Sequence, residues 1–267
     1  MPQHTLDVSD GDVLLVPGDL HFGIADTRVI QLMLDAADDA GVTHCVLQGD
    51  TFECGGLSSH PKTAKQVNDG SLMIEREIEQ ATTWLDTLLG MVNGKGVAMA
   101  GNHENRITRH VDAFPAFMGM EWYDVYAPAL EGWECLPDDS STFVKAGGLT
   151  IYHGHQLTGM KMGGGVTPAR TVLNHYPGQN TMFGHTHRRD VFTRPTWKDG
   201  KKVQHGAFNV GHLQDERHAG WSGHNAWEQS FALVSYFDQG LFDVALAKVY
   251  RDRRNRPSVM INGKVYR

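Results

Sequence analysis

An α/β fold with two packed sheets flanked by helices is predicted by three features of the 267-residue sequence. Short β-branched apolar runs alternate with stretches of helical period through the first half. In the second half, strands follow one another through hairpin-type turns. Each polar cluster rich in Asp, Asn and His comes directly after an apolar run, the place where α/β sheets carry their ligands.

Val13 to Val16 (VLLV), followed by Pro17-Gly18, reads as a buried strand ending in a loop. Asp26 to Ala40 repeats apolar residues at helical spacing and stops at Gly41, a suitable glycine just past a helix end. His44 to Leu47 is the next strand, ending at Gln48-Gly49-Asp50. Ser71 to Leu89 reads as a long helix, and Gly96 to Ala100 as a third strand ending at Gly101-Asn102-His103. Thr142 to Ala146, Gly147-Gly148 and Leu149 to His153 form a hairpin pattern. Further strands are expected at Asn180 to Phe183, Val191 to Trp197, Val203 to Val210, Phe231 to Phe237 and Leu241 to Val249. Three long polar segments, Phe52 to Gly70, His155 to Arg170 and His212 to Gln229, have the length of functional or mobile loops.

No linker or repeat divides the chain, so residues 1–250 are expected as one domain and 251–267 as a basic C-terminal tail. From Lys248 to Arg267 seven basic residues face one acid, Asp252, a local +6 on a chain whose net charge is −7. Such an arm can hold phosphates or an acidic partner, or lie solvated and loosely packed on its own acidic body. The negative total argues against coating duplex DNA by bulk charge. An apolar fraction of 40% is that of a globular protein. No apolar stretch approaches the ~20 residues of a membrane span, and Met1 to Asp12 lacks the apolar core of a secretory signal. Cys45, Cys54 and Cys135 form no CxxC pair, which suits a reducing cytoplasm.

The chemistry is carried by the strand-end clusters Gly18-Asp19-Leu20-His21, Gly49-Asp50, Gly101-Asn102-His103-Glu104, His153-Gly154-His155 and Gly184-His185-Thr186-His187. In extended chain, residues i and i+2 share a face, so Asp19 with His21 and His185 with His187 can each converge. Glycine before a ligand lets the chain turn over the strand end. Carboxylate, imidazole and amide oxygen together suit a divalent transition metal. Seven such donors with one shared carboxylate would fill two sites, and a metal pair clamps in-line displacement at phosphorus. Taken singly, each residue has a structural reading too; Asp50 after Gly49 is also a common turn or helix-cap pattern.

These five blocks resemble the calcineurin-like metallophosphoesterases, whose pattern runs D-x-H, G-D, G-N-H-[DE], H and G-H-x-H in that order. They span Asp19 to His187, about two-thirds of the chain. The resemblance implies a four-layer αββα sandwich of two mixed sheets flanked by helices. It implies one metal held by Asp19, His21 and His187, a second by Asn102, His153 and His185, and Asp50 bridging them. Two divalent ions follow, manganese first, with iron, zinc, nickel or cobalt as alternatives. Attack by a metal-bridging hydroxide would leave no need for a covalent protein nucleophile. His103 would act as general acid or stabilise phosphoryl charge, and Glu104 would orient its imidazole. Compactness and loop style are similar to bacterial or phage-encoded members.

Around this set, Arg106 is the candidate phosphate clamp because guanidinium binds phosphate oxygens bidentately; Lys161, Arg170 and Arg188 are weaker candidates. His155 divides evenly between ligand and supporting residue, and Cys54 reads better as a structural thiol. His212, His218, His224, Trp221 and Trp227 lie in the third loop, which could line a pocket or simply pack. Gly163-Gly164-Gly165 lacks a nucleotide-loop pattern and fits a flap, with Gly223 and Asn225 on the same rim.

The expected function is hydrolysis of a phosphate mono- or diester. Phosphomonoesters including phosphoproteins, small or cyclic diesters, and nucleic-acid strands all fall within the family. Ala100 stands where eukaryotic protein phosphatases carry Arg, which weakens the phosphoprotein class. The large capping domain of DNA-end-processing nucleases is not expected, whereas short or single strands stay open. The opposed class is a non-catalytic metal-binding interaction module, which would be expected to lack ligands; none is missing. No membrane partner is expected, and the sequence leaves the oligomeric state open.

Overall fold

A computed structural model describes residues 3–59, 62, 64–68, 70, 72–139, 141–157, 167–198, 200–218 and 226–267. Lys161, Gly163 to Gly165, Trp221, Gly223, His224 and Asn225 lie outside the described residues.

Two mixed sheets form the centre. In the larger, β2 (Val13–Pro17), β3 (His44–Leu47), β4 (Gly96–Ala98) and β5 (Glu134–Cys135) run parallel. Beyond β2 the sheet continues antiparallel through β11 (Ser230–Phe237), β12 (Leu241–Arg251), β13 (Pro257–Ile261) and β14 (Lys264–Tyr266). Its order is β14-β13-β12-β11-β2-β3-β4-β5. The smaller sheet is ordered β1-β6-β7-β8-β10-β9, from Gln3–Leu6, Phe143–Ala146, Leu149–Ile151, Asn180–Phe183, Lys201–Val210 and Arg189–Lys198. The predicted β3 and β8 match residue for residue, and β6–β7 is the predicted hairpin.

The layers follow from the two-residue period. Leu14, Val16, Val46 and Val97 point one way and meet Val144, Ala146, Leu149, Ile151 and Met182 of the other sheet. Their neighbours Leu15, Cys45, Leu47 and Ala98 point the other way, onto helices α1 (Thr27–Asp39) and α3 (Ile74–Met91). Strands buried on both faces must be apolar throughout, which is why VLLV and HCVL show no alternation. On the far side of the smaller sheet, Ala169, Val172 and Leu173 of α6 (Pro168–His175) pack against Phe183 and Ala207. Helix, sheet, sheet, helix is the expected four-layer arrangement. The other helices are α2 (Ala64–Asn68), α4 (Asn105–Ala113) and α5 (Trp122–Val125). Among the described residues, no helix is long and apolar enough to cross a membrane.

Residues 251–267 depart from the expected tail. Arg251 closes β12, and β13 and β14 extend the sheet through a two-residue turn at Asn262-Gly263, both with positive φ. Val259 and Ile261 are buried in the helix-side core. Two of its basic residues find acids on α1: Arg251 Nη2 lies 2.7 Å from Asp26 Oδ2, the N-cap carboxylate, and Lys264 pairs with Asp39 near the other end. The stretch is a sheet edge clamped to α1 by apolar contact and charge.

Ile261→Ala should destabilise the chain by about 2 kcal/mol or more, the usual cost of a buried Ile-to-Ala truncation. Urea unfolding measures this, and a loss under about 0.5 kcal/mol would remove the C-terminal hairpin from the core.

Candidate metal centre

Five strand ends meet on one edge of the sandwich. β2, β3 and β4 of the larger sheet lead to Asp19 and His21, to Asp50, and to Asn102 and His103; β7 and β8 of the smaller lead to His153 and to His185 and His187. The convergence was expected from extended chain, but it is achieved by left-handed turns. His21, Asp50, His185 and His187 have φ of 51°, 48°, 65° and 56°. Outside glycine this region is uncommon and costs about 1–3 kcal/mol per residue. The preceding glycines answer chiefly to crowding. A Cβ on Gly101 would overlap Asp50 Oδ1, and one on Gly184 would overlap Asp19 Oδ1.

The donors form two groups that share Asp50. In the first, potential ligand atoms of Asp19, His21, Asp50 and His187, all buried, lie within 4.8 Å of one another. His21 Nε2 and His187 Nε2 are 3.0 Å apart, and His187 Nε2 is 3.3 Å from Asp19 Oδ2. In the second, Asp50 joins His153 and His185 within the same limit. Asn102 Oδ1 sits 3.0 Å from His153 Nε2 and 2.6 Å from His185 Nδ1. Asp50 presents Oδ1 at 3.3 Å from His153 Nε2 and Oδ2 at 4.0 Å from His21 Nε2, one oxygen to each group. All seven predicted ligands are thus brought together.

Metal ions fit this donor set. Buried polar atoms normally find hydrogen-bond partners, yet Asp19 Oδ1 and His153 Nδ1 have none. Burial pushes Asp19 up to about 8, despite His153 and with Asp50's charge adding to the rise. Burial would also raise Asp50, but His153, His103 and His21 hold it well below the usual carboxylate range. Burial and His153 depress His185 to about 4; burial and His21 take His187 well below its ordinary value. Those two rings are neutral, the state in which imidazole ligates metal.

His103 and Glu104 diverge in role. The Glu104 carboxylate accepts backbone N–H bonds from Asp50 at 3.0 Å, Gly101 at 2.8 Å and Phe52 at 2.9 Å. It braces the Asp50 and Gly101 loops instead of orienting His103, the role that the resemblance implied. The reason is local: the chain is already helical at Glu104 (φ −61°, ψ −32°), and adjacent residues on a helix do not face each other. His103 Nδ1 lies 2.7 Å from the Glu53 carbonyl and 3.3 Å from the Glu53 carboxylate. Glu53 also holds His21 Nδ1 at 2.8 Å. Burial would lower the His103 imidazole, but Asp50 and Glu53 overcome it and raise it to about 9. Arg106 Nη2 lies 3.0 Å from His103 Nε2, and its Nη1 donates to the Glu53 carbonyl.

Glu53 escaped the sequence reading although its signal was adjacent, a carboxylate three residues after Asp50. His212 and Gln214 had only loop position to mark them. Asp19 and His212 form a β-bridge, and Gln214 Nε2 approaches His187 Nδ1 at 3.3 Å. The fully buried His212 ring lies 5.0 Å from that of His187; neither of its nitrogens has a hydrogen-bond partner, and Nε2 is 3.9 Å from the Glu216 carboxylate. Trp227 packs edge-on to His187 at 4.4 Å. His155 sits 5.2 Å from the His153 ring, and burial depresses it to about 3. Cys54 Sγ contacts Tyr126 Oη at 3.2 Å, and burial raises the thiol well above its ordinary value, so it is structural. Arg170 lies over the Phe192 ring. Arg188 lines a pocket with Trp227 and Glu228.

No family model and no curated protein matches the sequence. Among solved structures, the chain is similar to Vacuolar Protein Sorting 29 from Cryptosporidium parvum, with 14% identity and a TM-score of 0.41 over 97% of this chain and 96% of that one.

Proposed function

We propose that the chain is a metal-dependent phosphoesterase hydrolysing a phosphate mono- or diester. The observation that carries this reading is the pair of donor groups sharing Asp50, one carboxylate oxygen facing each. Asp19, His21, Asp50 and His187 would hold one divalent ion, and Asp50, Asn102, His153 and His185 a second. Manganese, iron, zinc, nickel and cobalt all suit the mixed oxygen and nitrogen set. Such a pair would supply charge stabilisation to a phosphoryl group and a lowered pKa for water.

The chain's own groups do the rest. With Nδ1 engaged by the Glu53 carbonyl, Nε2 is the His103 atom left to exchange a proton, and the Asp50 and Glu53 carboxylates favour its protonated form. His103 can therefore give a proton to a departing oxygen. Arg106 Nη2 and His103 Nε2 lie 3.0 Å apart, so both can reach one phosphate oxygen. Glu104 keeps the Asp50 and Gly101 backbones fixed while this occurs. Phosphate esters are the proposed partners; the chemistry needs no membrane.

Asp50→Asn and His185→Ala should each lose metal and activity together after manganese loading, read by elemental analysis and an aryl phosphate panel. Retained metal and rate in both variants would overturn the assignment. It would also fail if the unaltered chain bound fewer than about one transition metal. His103→Ala should keep its metal yet turn over ~10²–10⁴-fold more slowly. The deficit should be largest with poor leaving groups, and an unchanged rate would remove the proton-donor role.

A further inference from the structure

Helix α4 begins at the site and runs away from it. Arg106 and Arg109 are three residues apart, so they lie on one side of the helix. With Ser58, Ser59, Asn102 and His110 they line a groove of about 400 Å³. The groove opens onto Asn102, whose Oδ1 meets both His153 and His185. Arg106 reaches from it to His103, so the groove leaves the centre on the proton-donor side.

The cations here are held by backbone carbonyls. Arg106 donates to the Glu53 carbonyl, Arg109 to the Asn105 carbonyl and Lys62 to the Ser58 carbonyl. Among the described residues, none of the three forms an ion pair with an acid. Burial and the charge of Arg106 push the Lys62 ammonium down, with Glu53 only partly opposing, as happens when like charges gather. On a chain of net −7 such a cluster does not follow from bulk composition. Just beyond it stand aromatic rings. The His110 ring is 4.7 Å from Phe114 and 6.2 Å from Phe117, and those phenylalanines are 50% and 44% exposed.

We propose that this groove is a track for single-stranded nucleic acid, with Arg106 and Arg109 on backbone phosphates and Phe114 and Phe117 stacking bases. A cationic groove interleaved with exposed rings is the usual solution for unpaired strands. Isolated phosphate needs the arginines but not the rings, and a duplex hides its base faces from them. Cleavage of the strand rests on the phosphoesterase reading; binding does not.

The test is fluorescence anisotropy of the full chain with labelled phosphorothioate oligothymidylate and oligouridylate of about 12 nucleotides, titrated against salt. Binding of either supports the track, and the stronger of the two identifies DNA or RNA. Arg109→Ala should weaken binding and reduce the log–log salt slope by about 0.7, whereas Arg109→Lys should keep the slope. Phe117→Ala should weaken binding about 5- to 100-fold at unchanged slope. Thermal melts of the variants exclude loss of folding. No oligonucleotide binding, or affinity indifferent to both alanine variants, overturns the track. So does sedimentation as a dimer that Phe117→Ala dissolves while oligonucleotide affinity is unchanged. Hydrolysis of an aryl phosphodiester by the unaltered chain reads the other proposal separately. Hydrolysis without oligonucleotide binding sinks only the track, and binding without hydrolysis sinks only the phosphoesterase.

Discussion

Asp50 is a carboxylate kept ionised with almost no access to water, and the site is arranged around that demand. Burying an unpaired charge is prohibitive, so the group must be surrounded by donors and cations. His103 supplies a backbone N–H at 2.9 Å, while three imidazoles crowd its oxygens. These come from strands in both sheets, so the carboxylate can be satisfied only when the sandwich is assembled. The left-handed backbone at four of the candidate ligands and the close approach of Gly101 and Gly184 follow from packing this many polar groups around one point. Binding an ion in the native state alone would offset that strain, which ties metal occupancy to stability.

Two glutamates divide the supporting work. Glu104 is fully buried and spends its acceptors on three backbone N–H groups, fixing where the Asp50 and Gly101 loops lie relative to each other. Glu53 joins the candidate metal centre to His103 by touching both His21 and His103. Burial would raise its pKa, but these two imidazoles hold it far below the ordinary value. A negative charge at that point favours the charged form of His103.

Much of this was legible in the sequence because the donors follow strands whose apolar runs are unambiguous. β3 and β8 could be bounded to the residue, and each delivers its polar cluster in the next few positions. Legibility stopped where adjacency in sequence ceased to predict adjacency in space. Glu104 sits beside His103 in the chain but, as the N-cap residue of α4, turns to the Asp50, Phe52 and Gly101 N–H groups, so the His103 ring is held instead by Glu53, some fifty residues earlier. His212 reaches the site through a bridge to Asp19, a pairing no local pattern announces. At the C-terminus, charge hid a strand signal. Val259 and Ile261 alternate and precede Asn-Gly, a strong hairpin cue, but the surrounding arginines suggested a solvated arm.

Net charge proves a poor guide to the field a ligand would meet. Asp19, Asp50 and Glu104 all count toward the −7, yet all are buried among imidazoles and backbone N–H groups. Glu53 is spoken for by two histidines. Near the mouth, by contrast, Lys62, Arg106 and Arg109 are tethered to backbone carbonyls and, among the described residues, form no ion pair with an acid. The C-terminal basic stretch adds less than its count suggests, because Arg251, Arg256 and Lys264 are paired with Asp26, Asp252 and Asp39. Fields at a cleft are set by the charges that remain unpaired around it. An acidic chain can therefore present a locally cationic approach to phosphate.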